Sequence, residues 1–227
     1  MRHCVLEIAC FNVDSAVIAY KNGADRIEIC DDVLCGGKTP SDSVIDEIIE
    51  RTGNIDRMVM IHREGNQYCY SNQDSDWMVN RIHQLNEKKI LGYVFGATTH
   101  DDKPDYTLLT RLIRAANGRP CTFHRAFDNL ENKREVMERL IDLGFARILT
   151  SGGKGNAIDN LAVLSELQVA ASGRIIILAG GGLRSGHAEN LIRQTSVNEI
   201  HSSAIIKNGT ASAEEVTALK AICNYLS

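Results

Sequence analysis

The chain has 227 residues, of which 44% are hydrophobic and 24% charged, and its formal net charge is −4. This is the composition of a soluble globular protein, and it excludes a mainly disordered chain, a collagen and a coiled coil. The small acidic excess provides no basic field for nucleic acid or anionic lipid, so neither is expected as a main partner.

Two further features bear on where the chain works. No stretch approaches the roughly 20 apolar residues that a membrane-spanning helix needs, and the N-terminal segment lacks the apolar core of a secretory signal. The seven cysteines form an odd, scattered set without a CxxC pair. Such a set is typical of cytosolic thiols rather than of a disulfide framework. We therefore expect a cytoplasmic protein with no membrane partner.

Short strand-like runs alternate with amphipathic helical stretches along the whole chain. The runs are rich in β-branched, leucine or aromatic residues, and the helical stretches repeat apolar residues at i, i+3 and i+4. In chain order, the predicted strands and the helices that follow them are 4–10 and 12–22, 25–30 and 41–52, 56–62 and 74–88, 91–96 and 105–117, 120–125 and 131–142, 146–151 and 158–172, 174–180 and 185–195, and 197–203 and 212–226.

Eight strand-then-helix units predict parallel strands joined by right-handed crossovers. Eight units close a barrel, and about 250 residues is typical of one. We therefore predict an α/β protein with a single (β/α)8 TIM-barrel-like domain over residues 1–227. The alternative is an open doubly wound sheet, which would favour a glycine fingerprint after the first strand. Residues 10–13 contain no glycine.

Unusually polar residues fall on the strands and at the strand ends that form the mouth of such a barrel. Alternate strand residues point inward, and chemistry is located at the carboxyl ends of the strands. Glu7, Arg26 and Glu28 are expected to face the lumen together. Because an unpaired buried carboxylate is costly, they need partners, and Arg63 and Arg125 are further candidates. These charges form either a structural ion network that plugs the barrel or a functional site.

The segment from His124 to Asp128 is the candidate for proton-transfer chemistry. A histidine can act as acid or base near neutral pH, and a nearby carboxylate or arginine tunes it. The alternative is a hydrogen-bonded histidine at a strand end, beside an arginine that binds a carboxylate. The candidate catalytic residues around the mouth are Glu7, Arg26, Glu28, His124, Arg125, Asp128 and His201.

Three consecutive glycines after the seventh predicted strand predict an anion site. Glycines let backbone N–H groups approach an anion closely, and the loops after strands 7 and 8 of this fold commonly bind phosphate. The alternative, a tight turn, explains one glycine better than three. The start of the helix near Ser185 and the serine hydroxyl groups would add donors. The candidate anion-binding residues are Thr150, Ser151, Gly152, Gly180, Gly181, Gly182, Ser202 and Ser203.

Eight segments, in family order and spread over most of the chain, resemble the copper-homeostasis protein CutC family. They are LEIAC (6–10), GADRIEIC (23–30), GGKTPS (36–41), YVFGATT (93–99), TFHRAFD (122–128), LGFARILTSGG (143–153), GRIIILAGGGL (173–183) and EIHSSA (199–204). The resemblance implies a TIM-barrel-like fold, a cytoplasmic location, a role in copper homeostasis and a homo-oligomer, with a dimer as the expected form. The family has no established enzymatic reaction, so the resemblance implies none.

The resemblance also implies Cu(I) as the ligand, because some family members bind it through cysteines. Cys30 matches the second of two copper-linked cysteine positions, whereas Ala9 occupies the first. Cys10 is adjacent, but in a strand it points to the opposite face, where we expect it to pack as a small hydrophobic residue. Cu(I) prefers thiolate and thioether ligands. The candidate metal ligands are therefore Cys30 and Cys35, with Cys69 on the next loop.

Two functional hypotheses remain open. The resemblance implies a copper-homeostasis factor that binds Cu(I) or acts indirectly. The residues alone indicate an enzyme or a binding protein for a small anionic ligand, such as a phosphorylated one. The segment 61–68 departs from the arginine-rich family pattern IRPRGGDF, which changes the charge at the mouth of the third strand.

Overall fold

The computed structural model describes residues 4–63 and 68–226. Eight parallel strands close a barrel in the order of the sequence, and each strand is followed by a helix on the outside. The predicted (β/α)8 fold is therefore confirmed. Within the described residues, no helix has the length and apolar character that a membrane span requires.

The strands and helices follow the predicted order, with ends that differ by a few residues. The strands are β1 (Val5–Cys10), β2 (Arg26–Ile29), β3 (Asp56–Met60), β4 (Gly92–Phe95), β5 (Cys121–Phe123), β6 (Arg147–Thr150), β7 (Ile176–Gly180) and β8 (Glu199–Ser202). The helices are α1 (Val13–Lys21), α2 (Asp42–Arg51), α3 (Asn72–Leu85), α4 (Tyr106–Ala115), α5 (Lys133–Leu143), α6 (Leu161–Ala171), α7 (Ser185–Thr195) and α8 (Ala213–Tyr225). A hairpin of β9 (Ile205–Lys207) and β10 (Thr210–Ala211) follows β8 and is an addition that the sequence patterns do not predict.

Side chains that alternate along the strands contribute to two separate interiors, one between the barrel and its helices and one in the lumen. Leu6, Ile8 and Cys10 of β1 belong to the large apolar core between the barrel and its helices. The lumen contains a separate small cluster that includes Cys30 and Met60. The opposite parities predicted for the two cysteines are therefore confirmed, because side chains of a strand point alternately to its two faces.

The lumen also contains a buried ion network centred on Arg26. Its Nε donates to Glu7 Oε2 at 2.5 Å, and its Nη2 donates to Glu199. Arg147 donates its Nε to the same Glu199 carboxylate at 3.0 Å. Burial opposes the charge on Arg26, but the two carboxylates beside it raise the pKa of the guanidinium. The network ties β2 to β1 and β8.

The predicted convergence of Glu7, Arg26 and Glu28 in the lumen, with an arginine–carboxylate hydrogen bond, is thus confirmed. The two other candidate arginines pair elsewhere. Arg63 binds Asp74 at 2.7 Å, and Arg125 binds Asp128 at 2.8 Å. The predicted change of charge in segment 61–68 falls largely on residues 64–67, which lie outside the described residues.

Replacing Arg26 with methionine is expected to destabilise the fold by about 3–5 kcal/mol, because buried carboxylates would lose their counter-charge. The control is Arg51→Met, whose exposed pair with Glu47 on α2 contributes about 0.3–0.5 kcal/mol. Denaturant titration measures the free energy of unfolding of both variants. Equal losses for Arg26→Met and Arg51→Met would contradict the central place given to Arg26.

Candidate functional site

A cavity of about 270 Å³ opens at the carboxyl ends of the strands. The sequence-predicted residues that line it are Glu28, Cys35, His124, Arg125, Gly181, Gly182, His201, Ser202 and Ser203. A larger groove of about 1140 Å³ lies outside the barrel between α5 and α6 and contains none of the predicted site residues. The mouth of the barrel is therefore the candidate site, because cavity and chemistry coincide there.

His201 joins two carboxylates at the base of this cavity. Its Nδ1 lies 2.7 Å from Glu7 Oε1, and its Nε2 lies 3.6 Å from Glu28 Oε2. Burial opposes protonation of the ring, but the hydrogen bond to Glu7 and the charges of Glu28 and Glu7 raise the pKa of His201. Burial likewise opposes ionisation of Glu7, yet Arg26 and His201 lower its pKa to about 2. Glu7 is therefore an anion that holds its neighbours in place.

One potential metal-binding group lies here. One ligand atom from each of Glu7, Glu28 and His201 lies within 4.8 Å of the others, a spacing that suits a metal ion. Both Glu7 oxygens already have protein partners, one on Arg26 and one on His201. The group is therefore better satisfied as an ion network than as a set of free ligands.

Glu28 is a lumenal acid with one carboxyl oxygen that lacks a hydrogen-bond partner among the described residues. It is 2% exposed, and its Oε1 has no hydrogen-bond partner within the described part of the chain. Burial, helped by the charge of Glu7, raises the pKa of Glu28 to about 7 despite the opposing effect of His201. Glu28 lines the cavity, so its unsatisfied oxygen belongs to a residue at the cavity wall.

His124 follows β5 and presents one ring nitrogen without a partner. Its Nδ1 accepts the N–H of Ala126 at 3.2 Å, so the proton of the neutral ring is on Nε2. Nε2 is buried and finds no partner in residues 4–63 and 68–226. A Cβ at Gly96 would lie 2.6 Å from this ring, so only glycine leaves room for it. Burial and the neighbouring His62 lower the pKa of His124 to about 3.

Asp128 is fully engaged by protein donors. Its Oδ1 accepts from the Thr150 hydroxyl at 2.5 Å and from the Ser151 N–H at 3.0 Å. Its Oδ2 accepts from the Ser151 hydroxyl and from Arg125 Nε, both at 2.8 Å. The N–H of Gly152 donates to the Thr150 hydroxyl. These donors, which the sequence assigned to an anion, instead bind protein atoms, and Asp128 holds Arg125 beside the cavity.

The glycine turn after β7 forms part of the cavity wall. Gly180 ends β7, while Gly181 has a φ of +110°, which L side chains rarely adopt. A Cβ at Gly181 would also lie 2.9 Å from the Cβ of Ser151 and 3.1 Å from Cζ of Arg125. A side chain at Gly181 would therefore strain the backbone and collide with Ser151 and Arg125.

Ser202 and Ser203 line the cavity but differ in what they can offer. The Ser202 hydroxyl donates to the Leu183 carbonyl at 2.7 Å, so its proton is already used. The Ser203 hydroxyl accepts the N–H of Ile205 at 3.4 Å and is half-buried at the cavity wall. Ser203 is therefore the one of the two whose proton has no protein acceptor within the described residues.

The start of α7 is closed to an anion, which corrects the expectation based on its position. The carboxylate of Glu215, from α8, accepts the N–H of Ser185 at 2.7 Å and its hydroxyl at 2.8 Å. A protein carboxylate thus takes the place that a ligand anion would have. Arg184, just before the helix, still lines the cavity.

Two of the predicted metal ligands follow β2: Cys30 comes directly after the strand, and Cys35 lies further along the loop. Cys30 is 2% exposed in the lumenal cluster, and Cys35 is half-buried at the end of the 3-10 helix Val33–Cys35. A Cβ at Gly37 would lie 3.3 Å from the methyl carbon of Met60 and 3.5 Å from Cys30 Sγ. Sequence reasoning missed Met60, although its strand parity carried the signal.

A sequence model of the CutC family matches residues 4–206 of this chain. The copper homeostasis protein cutC homolog of Mus musculus is 35% identical over 200 residues, which are 88% of this chain and 73% of that protein. The family protein CutC of Pasteurella multocida (strain Pm70) is 37% identical over 196 residues, which are 86% of this chain and 80% of that protein.

A similar solved structure is the crystal structure of a Streptococcus agalactiae protein described as a copper homeostasis protein CutC. It superposes with a TM-score of 0.82 at 28% sequence identity. The match covers 88% of this chain and 98% of that chain. The similarity therefore holds in sequence and in fold, and the range of the family match includes the strands that carry Glu7, Glu28 and His201.

The two histidines at the mouth are expected to titrate on opposite sides of the ordinary histidine value of about 6.5. His201 gains a proton readily because Glu7 accepts its hydrogen bond, whereas buried His124, with its pKa lowered to about 3, stays neutral until the pH falls to that value. The ring nitrogen chemical shifts in a pH series of NMR spectra measure both. Glu7→Gln should lower the pKa of His201 and leave that of His124 unchanged. If both histidines of the unchanged protein titrated near pH 6.5, the environments described for them would be contradicted.

Proposed function

The chain belongs to the CutC family, and from that premise we propose that it acts in copper homeostasis as a cytoplasmic protein that binds Cu(I) at the mouth of its barrel. Relatives named copper homeostasis proteins support the role. The observation that carries the ligand is that Cys30 and Met60 belong to one lumenal cluster, with the Cys30 sulfur and the Met60 methyl group both next to Gly37. A homo-oligomer, with a dimer as the expected form, is part of the same proposal.

The chemistry of this pair suits a soft monovalent ion. Ile29 and Val59 are register partners, so Cys30, which follows β2, and Met60, the last residue of β3, lie side by side on the lumenal face. Thiolate and thioether sulfur atoms are the ligands that Cu(I) prefers. Cys35 lines the cavity on the loop above and supports the site as a third sulfur ligand.

Cu(I) affinity is expected to depend on Cys30 and not on Cys10. Cys30→Ser should weaken binding at least about tenfold, ~1.4 kcal/mol, because the site loses its buried cysteine sulfur. Met60→Leu should weaken it by a smaller factor. Anaerobic competition against a coloured Cu(I) chelator measures each affinity, with Cys10→Ala as the matched control on the opposite strand face. Loss of binding in Cys10→Ala with retention in Cys30→Ser would contradict the proposal.

A second candidate function is recognition of a small anionic ligand in the same cavity, by an enzyme or a binding protein. Its support is the position of Arg125, which Asp128 holds at the cavity wall beside Gly181 and Gly182. Among the described residues, the backbone N–H groups of these two glycines have no acceptor. Guanidinium and backbone N–H groups together are typical of phosphate recognition.

Phosphate binding is expected to depend on Arg125. Arg125→Gln should weaken the binding of inorganic phosphate about tenfold, since one charge-assisted contact contributes roughly 1.5–3 kcal/mol. Arg134→Gln makes the same change of charge on the exposed face of α5 and serves as the control. Calorimetric titration measures both affinities, and thermal unfolding reports whether the variants are folded. Equal affinities for the two variants would remove Arg125 from the site, and absence of binding by the unchanged protein would remove the anion site.

A further inference from the structure

Among residues 4–63 and 68–226, two buried polar atoms of residues that line the cavity lack the partners that such atoms normally have. They are Glu28 Oε1 and His124 Nε2, on residues that are 2% and 4% exposed. In folded proteins the great majority of buried polar atoms are hydrogen-bonded. Both residues line the same cavity at the mouth of the barrel. A ligand in that cavity would supply the missing partners.

The chemistry of each atom determines what the ligand must offer. His124 Nε2 carries the ring proton because Nδ1 accepts the N–H of Ala126, so Nε2 is a donor and requires an oxygen acceptor. Glu28 Oε1 is a carboxyl oxygen and accepts a hydrogen bond from a hydroxyl group. A ligand that satisfies both atoms therefore carries a hydroxyl group that donates to Glu28 and an oxygen, of the same or of another group, that accepts from His124.

The His124 donor is held in a fixed orientation. The His124 ring lies so close to Gly96 that a Cβ there would be 2.6 Å from it. The Tyr68 ring packs against the His124 ring with the two centroids 4.4 Å apart. The hydrogen bond from Ala126 fixes the rotation of the imidazole. A donor whose position is fixed before binding loses little conformational entropy when the ligand arrives.

The remaining walls limit the size and the charge of the ligand. Arg125 and the Gly181–Gly182 turn lie in the same cavity as His124 and form the anion-binding part of the second candidate function. Ala9, Phe11 and Leu149 are apolar wall residues. A volume of about 270 Å³ is at the lower end of ligand cavities, so the ligand is small.

From these groups we propose that the mouth binds a sugar phosphate, with the phosphate at Arg125 and Gly181–Gly182 and the sugar oxygens at His124 and Glu28. This proposal rests on the anion site of the second candidate function and names its ligand class. The sugar portion contributes selectivity, because only a ligand with correctly placed oxygens satisfies both buried atoms. Inorganic phosphate occupies the anion part alone.

The test is a calorimetric comparison of inorganic phosphate with ribose 5-phosphate and glucose 6-phosphate. The unchanged protein should bind at least one sugar phosphate ten or more times as tightly as inorganic phosphate. This gain in affinity is on the order of what one restored hydrogen bond contributes. His124→Phe keeps a ring of similar size without the donor, and this ratio of affinities should fall toward one. Glu28→Met, which replaces the acid with an apolar side chain beside the lumenal sulfur cluster, should also reduce the ratio. His83→Phe, on the exposed face of α3, should not change it.

The outcomes separate the two claims. If the unchanged protein binds phosphate but gains nothing from either sugar, the sugar phosphate proposal is overturned and the anion site stands. If the gain persists in folded His124→Phe and Glu28→Met, the roles given to these two residues are overturned. If neither phosphate nor any sugar phosphate binds, the second candidate function itself fails.

Discussion

The Arg26 guanidinium is the interaction on which the arrangement of the mouth depends. From β2, it donates hydrogen bonds to Glu7 on β1 and to Glu199 on β8 inside the barrel. The pairing of β1 with β8 is the one that closes the barrel. Because Arg26 keeps Glu7 ionised, Glu7 can accept the hydrogen bond of His201 and orient that ring. Without this cation, the lumen would contain carboxylates that burial forces to take up protons.

The same network explains why Glu28 is different from its neighbours. Two arginines share Glu199, and Arg26 and His201 share Glu7, whereas Glu28 has the more distant His201, the Cys30 thiol and the charge of Arg26 as its favourable neighbours. Burial raises the pKa of Glu28 because these neighbours do not offset it, and its Oε1 has no hydrogen-bond partner within the described residues. Structural charge pairs thus fill the middle of the barrel, whereas Glu28 and His124, each with an unsatisfied buried atom, line the cavity at the mouth.

Sequence patterns could predict the features that depend on local alternation. Strand parity placed Glu7, Arg26 and Glu28 in the lumen and Cys10 outside it, because one backbone rule determines which way each side chain points. The patterns could not predict that Glu215 closes the start of α7, or that Asp128 uses up the donors of Thr150 and Ser151. Such hydrogen bonds join distant parts of the chain, and their geometry is decided by tertiary packing.

The most direct test of the account is X-ray diffraction from crystals loaded anaerobically with Cu(I), measured above and below the copper absorption edge. The anomalous difference map locates the metal without assuming a site. We expect a peak in the lumen at the mouth of the barrel, between the sulfur atoms of Cys30 and Met60. A peak at Cys10 or Cys69, with none beside Cys30, would contradict it.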